Sequence, residues 1–242
     1  MANERRLRIL LRLAEGPDRA HELSTERLCR LCAEVCGVSG AGVMLLSHEL
    51  GRGAFCTTDE VSARIEELQF SLGEGPCVDA YEQDRPIAEP DLGEPASFRW
   101  SAFAPAALQA GVRAVFAFPL RVGAIRLGSL GLYNTHAGRL RDEQHGDAMV
   151  MADLVAESVL LMQAEAAPGM LAAQLEAGAD FYSVIHQAAG MVSAQLGVGV
   201  AHAMVRLRAH AYGNERMLAD VARDVVARTL RFESSHDDQD GP

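Results

Sequence analysis

One change of pattern along the chain constrains its fold more than any other feature. Up to residue 140, short apolar runs alternate with helical segments and with turns that contain Gly or Pro, whereas the segments after Arg141 have helical periodicity. The stretch 141–167 contains no proline, and Pro168 and Gly169 then interrupt it. This order predicts an α+β domain, a long helix and a separate all-helical domain.

The first part predicts an antiparallel sheet flanked by helices. An amphipathic N-terminal helix is expected in 1–19, and a hairpin is expected after a helix that ends near Cys36. Further helices, a short strand in IAEPDL and a final hairpin complete the α+β domain, which we place at residues 20–140. Pro119 within the final hairpin indicates a bulge or a sheet edge.

The long helix, placed at 141–169, has more apolar surface than one contact needs. Its apolar residues form two adjoining stripes: Val150, Leu154 and Leu161, and Met151, Val155, Val159 and Met162. A helix of this kind after a domain commonly packs against its copy, so we expect a homodimer. For the first half of the helix, packing against its own sheet is an equally good interpretation.

Charge limits the partners that the chain can have. All 22 basic residues are Arg, and with 33 acidic residues the net charge is -11, which argues against bulk electrostatic binding to nucleic acid or membrane. The stretch 167–232 is close to neutral, and 233–242 is an acidic tail that we expect to be disordered. No apolar run is long enough to span a bilayer and no export signal is evident, so we expect a cytoplasmic protein without a membrane role.

The cysteines could suggest a metal site, because Cys29, Cys32 and Cys36 follow a C-x2-C-x3-C spacing. These three also follow the apolar stripe of a helix, and Cys56 and Cys77 are isolated along the chain. We therefore expect buried small side chains, with no disulfide framework, no metal and no cofactor.

No catalytic constellation is evident in the sequence. The segment GVSGAG at 37–42 precedes a strand instead of following one, and the chain has no Lys to complete a phosphate-binding loop. Glu74 and Asp79 flank Cys77 and would oppose a thiolate there. We expect that the protein is not an enzyme.

The segment FSLGEGPCVDAYEQDRPIAEPDL, followed by RWSAFAPAALQAGVRAVFAFPLRVGAIRLGSLGLYNTHAG, resembles the GAF domains of actinobacteria. The resemblance covers about residues 20–165 and implies a sensor of a small molecule or of a partner protein. A pocket between sheet and helices is the usual place for a ligand. Five large or polarisable residues near these elements are candidate ligand-binding residues, although each could equally be a core residue: Phe55, Cys77, Trp100, Phe116 and Phe118.

The segment VIHQAAGMVSAQLGVGVAHAMVRLRAHAYGNERMLADVARDVV is similar to the ANTAR domain, an RNA-binding three-helix module of transcription antiterminators. The similarity covers about 170–232, where periodicity predicts three helices that end at Gly197, at Gly213 and near residue 232, the third capped by Asn214. It implies binding to a hairpin loop of a leader transcript, with contacts from Arg208, Arg216, Arg206, Arg223, His210 and Tyr212.

Four positions depart from the ANTAR pattern, because Ala189, Tyr212, Met217 and Ala219 stand where that family commonly has basic residues. The sequence therefore supports two functions. In the first, a GAF sensor controls an RNA-binding output module in transcription antitermination. In the alternative, a dimeric GAF sensor carries a helical bundle that has lost RNA binding and mediates protein interaction.

Overall fold

The computed structural model describes residues 2–14, 25–46, 53–94, 99–165, 180–214 and 216–233. The chain divides into two compact units, Met1–Leu175 and Glu176–Pro242. Within the described residues no single helix is long and apolar enough to cross a membrane, and one bent pair of helices in the second unit passes by length and composition alone.

The first unit contains a five-stranded antiparallel sheet with the strand order β2-β1-β5-β4-β3. Its strands are β1 Gly40–Leu45, β2 Gly53–Thr57, β3 Ile87–Glu89, β4 Ala114–Val122 and β5 Ile125–Asn134. Strand β3 pairs only with residues 115–117 of β4, so Pro119 lies beyond β3 on an open edge, and a bulge follows between Leu120 and Arg121. A proline is compatible with this position because its missing N–H breaks no ladder there.

Six helices lie in the described residues of this unit: α1 Ala2–Ala14, α2 Thr25–Cys36, α3 Glu60–Leu72, α4 Pro76–Gln83, α5 Phe103–Gln109 and α6 Asp142–Glu165. The prediction of an α+β fold with an antiparallel sheet is confirmed. Local signals fix α3 at both ends, since Asp59 and Ser62 form a capping box and Gly73 ends the helix with a φ of 68°.

Helices α2 and α6 cover one face of the sheet and form the main apolar core with it. The inward residues of α6 include Met151, Leu154, Val155 and Val159, which are all buried in this unit. Leu161, in contrast, is 64% exposed. The first half of α6 thus packs against its own sheet. Leu154, which lies in one of the two apolar stripes that suggested a dimer, belongs to this core.

Helix α1 packs on α6 through Ile9, which is buried in the core, and through ion pairs of Arg5 and Arg8 with Asp147. Leu7 and Leu11, apolar residues of the N-terminal amphipathic pattern, are more than half exposed. The side of α1 that packs against the domain is therefore not the side that carries these two leucines.

The expectation that the cysteines form no disulfide is wrong, because a disulfide joins Cys29 of α2 to Cys56 of β2. Helix α2 packs against β2, which brings two residues that are 27 apart in sequence to a Cα–Cα distance of 6.1 Å. Helical periodicity places Cys29 on a buried side but does not identify the residue opposite. Cys32 and Cys36 are free buried thiols, and burial raises the pKa of Cys36 to about 12.

In the described part of the second unit the chain forms three helices, α7 Asp180–Leu196, α8 Val200–Gly213 and α9 Leu218–Val226. Predicted inward residues are buried in each, among them Ile185, Leu207 and Val221. The third helix is shorter than predicted: it begins after Met217 and not at Asn214, and the chain leaves it at Ala227. Arg228 has a φ of 62°, which a continuing right-handed helix does not allow. The first part of the predicted 170–197 helix and nearly all of the acidic tail lie outside the described residues.

Candidate ligand-binding site

The second face of the sheet is built from small residues where it meets α3 and α4. Gly42 of β1 lies opposite Gly131 of β5, and Ser129 precedes it on the same face. A Cβ at Gly42 would lie 2.7 Å from Glu66 Cγ, and a Cβ at Gly131 would lie 2.7 Å from Glu66 Oε1 and 2.8 Å from Cys77 Sγ. The two glycines therefore leave the space that these polar side chains occupy.

Helix α3 points polar residues inward at this face. Ser62, Glu66 and Gln69 are buried and recur at spacings of four and three residues, which places them on one side of the helix together with Ile65. An ordinary amphipathic helix would place such residues in water. The sequence analysis missed this stripe, although the shared spacing with Ile65 is a signal that could have revealed it.

Helix α4 begins within the GEGPC turn and holds Cys77 against α3 and the sheet. The backbone N–H of Cys77 donates to Gln69 Oε1 at 2.7 Å, and the Ser129 hydroxyl donates to the Cys77 carbonyl oxygen at 2.6 Å. The Cys77 thiol faces Glu66 Oε1 at 3.9 Å. Gly75, with a φ of 135°, permits this turn in a conformation that L side chains rarely adopt.

Within the part of the chain that the structure describes, two buried polar atoms at this site have no hydrogen-bond partner: Glu66 Oε2 and Gln69 Nε2. Because the Cys77 N–H must meet an acceptor, the bonded atom of the Gln69 amide is its oxygen, and the unpartnered atom is a donor. Both residues line a cavity of about 10 Å³, close to the space that one water molecule needs. The cavity is thus small, polar and incompletely satisfied.

Burial controls the protonation of the cavity. It raises the pKa of Glu66 to about 8, against which the contact with Cys77 acts only partly. Burial and the neighbouring Glu66 also raise the pKa of the Cys77 thiol well above its usual value. In the empty cavity at neutral pH, Glu66 is therefore mostly an uncharged acid and Cys77 an uncharged thiol.

Glu74, in the GEGPC turn, and Asp79, on α4, hold the segment that leads into α5. Glu74 Oε1 accepts hydrogen bonds from the backbone N–H groups of Ala102 and Phe103, at 2.7 and 2.8 Å. Asp79 Oδ2 accepts from the Arg99 guanidinium at 2.8 Å and from Trp100 Nε1 at 3.3 Å. The carboxylates that flank Cys77 in sequence thus serve the neighbouring segment.

The five residues proposed from sequence as ligand contacts divide between the two faces of the sheet. Cys77 and Phe116 border the cavity, although Phe116 also belongs to the core on the opposite face. Phe118 packs in that core against His145, and Phe55 lies at its edge. Trp100 is buried against Phe103 beside Asp79 and is not part of the cavity lining.

The six residues proposed as RNA contacts lie on α8, on α9 and between them. Arg206 is exposed and Tyr212 is 70% exposed, whereas Arg208 and His210 are half-buried. The ring of His210 lies 5.3 Å from that of Phe232.

The remaining two arginines are paired with acidic residues of the same unit. The Arg216 guanidinium lies 2.7 Å from Asp224 Oδ2, and that of Arg223 lies 2.5 Å from Asp220 Oδ1. Arg206, Tyr212, Arg216 and Arg223 are thus all exposed, and the last two are held by carboxylates of the same unit. Among the residues that the structure describes, no group of three or more His, Cys, Asp or Glu side chains is arranged to hold a metal ion.

A family model for the GAF domain matches residues 24–158, more than half of the chain, and the protein belongs to the GAF domain family. Membership indicates a sensory or ligand-binding role for the first unit. The second unit lies outside the matched residues, so its similarity to ANTAR stays a prediction. No curated protein matches the chain at a significant level.

Several solved structures are similar to this chain. The GAF domain of the phosphoenolpyruvate-protein phosphotransferase from Acinetobacter has 11% identity and a TM-score of 0.49, and the match covers 68% of this chain and 96% of that one. The corresponding domain from Coxiella burnetii has 14% identity and the same TM-score, covering 68% and 95%. The nlh2 GAF domain of A. aeolicus in an inactive state has 11% identity and a TM-score of 0.44, covering 67% and 99%.

Proposed function

We propose that this protein is a cytoplasmic, non-catalytic regulator in which a small ligand enters the polar cavity of the GAF unit and the helical second unit delivers the response. The proposal rests on two buried polar atoms without a hydrogen-bond partner among the described residues, Glu66 Oε2 and Gln69 Nε2. A buried polar group without a partner costs about 1–3 kcal/mol, so a ligand that supplies partners for both gains that free energy on binding.

The sensor function is tested by a fragment screen on the ¹⁵N-labelled full chain, with library members of neutral, anionic and cationic character. At least one fragment should shift the backbone amide signals of Cys77 and Gly131. The matched variant Gly131→Ala places a methyl group beside Glu66 and Cys77 and should lose that response. A library in which no fragment shifts these signals in the parent protein would contradict the proposal.

For the second unit we propose RNA binding as the output, in transcription antitermination. Its support is the exposure of Arg206 and Tyr212 on one helix, α8, with Arg208 between them in sequence. An exposed guanidinium can bind phosphate, and an exposed phenol ring can stack on an unpaired base of a hairpin loop. Arg216 and Arg223 could join such a surface only by exchanging their Asp partners for phosphate.

A protein-docking output is the second candidate, and two observations favour it. The ion pairs of Arg216 and Arg223 neutralise positive charge within the unit. Val205 and Met217 are also apolar residues that are at least half exposed. Surface apolar groups beside neutralised charges suit a protein partner better than a polyanion.

Binding of a two-hairpin RNA, measured by fluorescence anisotropy at low and moderate salt, separates these outputs. The variant Asp224→Asn frees Arg216 and should tighten binding if that guanidinium reaches phosphate. Arg206→Ala should weaken binding and reduce the salt slope by about one unit. Arg30→Ala, an exposed arginine in the GAF unit, is the control and should change neither. No binding by the parent protein at low salt would favour the docking function.

We also propose that the protein is a homodimer. Among the described residues of the first unit, the exposed large apolar side chains are Leu7, Leu10 and Leu11 of α1, Ile125 of β5, and Met149 and Leu161 of α6. The buried half of α6 cannot take part while the domain stays folded.

A further inference from the structure

The cavity contains an acid without a countercharge. Glu66 is 2% exposed, and among the described residues that line the cavity none is Arg or His. The titratable groups that face it are the Cys77 thiol of α4 and the Tyr133 phenol of β5, neither of which supplies positive charge at neutral pH. Strand β1 contributes Gly42 at this point.

Because the described lining residues give Glu66 no countercharge, the cavity favours some ligand charges over others. An anionic ligand would bring a second acidic group into a space that holds no cation, at a high desolvation cost. A neutral ligand supplies no countercharge for an ionised Glu66, so it leaves the uncharged acid as the favoured form. A cation that lies on Glu66 Oε2 forms a neutral pair with the ionised carboxylate, and a charge-assisted hydrogen bond is among the strongest available in a protein interior.

The size of the cavity and the second unpartnered atom, Gln69 Nε2, further restrict the class of ligand. A volume of about 10 Å³ holds one group of the size of water, so a ligand of a few heavy atoms must displace part of the cavity wall. An ammonium head requires less displacement than the larger guanidinium or an aromatic cation. Gln69 Nε2 is a donor, so it needs an acceptor oxygen on the same ligand. The groups on Glu66 and Gln69 are thus complementary to a cation with a neighbouring oxygen.

We propose that this cavity binds a small primary amine that carries a neighbouring hydroxyl or carbonyl oxygen, with the ammonium head on Glu66 and the oxygen on Gln69. The proposal rests on the proposed ligand-binding function and names its ligand class. Molecules larger than a few heavy atoms are disfavoured because the cavity wall must move further to admit them.

Binding of the amine is coupled to release of a proton. The empty cavity holds Glu66 as an acid up to a pKa of about 8, and the bound cation stabilises its carboxylate. Each binding event at pH 7 therefore releases close to one proton to the buffer, and affinity rises about tenfold per pH unit below pH 8. Only the protonated amine takes part, and simple primary amines stay protonated over this range.

The experiment uses three probes of similar size on the full chain: ethanolammonium, the neutral 1,2-ethanediol and the anion glycolate. Ethanolammonium should shift the Cys77 and Gly131 amide signals, and calorimetry in two buffers of different ionisation enthalpy should show release of one proton. Glu66→Gln, which keeps the shape of the side chain, should weaken binding at least tenfold. Glu60→Gln, at the exposed start of α3, should leave it unchanged.

Each alternative result overturns a defined part of the account. Equal shifts by potassium chloride would show a metal-cation site in place of an amine site. Binding of 1,2-ethanediol or glycolate without ethanolammonium, or of an unrelated library fragment alone, would overturn the amine class and leave the sensor function standing. If no probe and no library fragment shifts the two signals, both the amine class and the sensor function fail. Proton release that persists in Glu66→Gln would also contradict the assignment.

Discussion

The two faces of the GAF sheet are made by the same strands and have opposite chemistry. On the side of α2 and α6, alternate residues of β1 and β5 are large and apolar, as Val43, Leu130 and Leu132 show. On the side of α3 and α4 the intervening positions include Gly42 and Gly131, which lie under polar side chains. The alternation of side chains along a β-strand thus separates an apolar face from a polar face within one sheet, and we call the polar face the ligand face because we propose that the ligand binds there.

This difference shows how one small domain can hold an unsatisfied site. The apolar face buries a continuous core that supplies most of the folding free energy. The ligand face can then keep a buried carboxylic acid and an unpartnered amide that would destabilise a less complete core. We expect substitutions on the two faces to separate stability from ligand response.

The largest loss of stability should come from the apolar face. Phe118→Ala removes a ring that is buried and packed against His145, and should lower the free energy of unfolding by about 3–5 kcal/mol. Chemical denaturation checks this value. The matched Phe55→Ala, at the edge of the same core, should cost clearly less, and equal losses would contradict the division between centre and edge.

On the ligand face the main effect should depend on pH. The pKa of Glu66 is raised to about 8 in the folded chain from an unfolded value of 4.5. Stability from this group is therefore fully present below pH 4.5 and is lost as pH rises, at about 1.4 kcal/mol per pH unit, until the loss is complete above pH 8. Unfolding of Glu66→Gln should lack this contribution, so the variant should gain stability relative to the parent between pH 5 and 8. Identical pH profiles would show that the acid is not buried.

A smaller effect is expected where α3 joins the sheet. Asp59 caps α3 through the Ser62 N–H and accepts a hydrogen bond from the Tyr133 hydroxyl at 2.9 Å. Asp59→Ala should cost about 1 kcal/mol, measured by thermal unfolding. Asp59→Asn keeps a side-chain cap and is the control. An equal loss of stability in both variants would show that the charge of Asp59, and not its capping hydrogen bond, stabilises the helix.

The smallest effect on folding should come from the exposed end of α6, which belongs to neither face. Leu161→Asp should change the free energy of unfolding by less than about 0.5 kcal/mol, because Leu161 is already largely in water. Light scattering should nevertheless show that it weakens the homodimer. A parent protein that is monomeric at micromolar concentration would refute the dimer.

Local signals made much of the fold predictable. The glycine that ends α3 and the proline near the β4 bulge are each visible in the sequence. The disulfide between Cys29 and Cys56 and the cavity at Glu66 were missed, because each depends on which element lies opposite another in space. Helical spacing predicts that Glu66 shares a side of α3 with Ile65. It does not predict that this side faces glycines of the sheet and not water.

The most direct test of the account is the titration of the Glu66 carboxyl group by ¹³C NMR in the full chain, assigned with the Glu66→Gln variant. We expect a midpoint near pH 8, well above that of ordinary glutamates, and a downward shift on addition of ethanolammonium. A midpoint near 4.5 that ethanolammonium leaves unchanged would show a hydrated carboxylate, and would contradict both the buried ligand face and the ligand assigned to it.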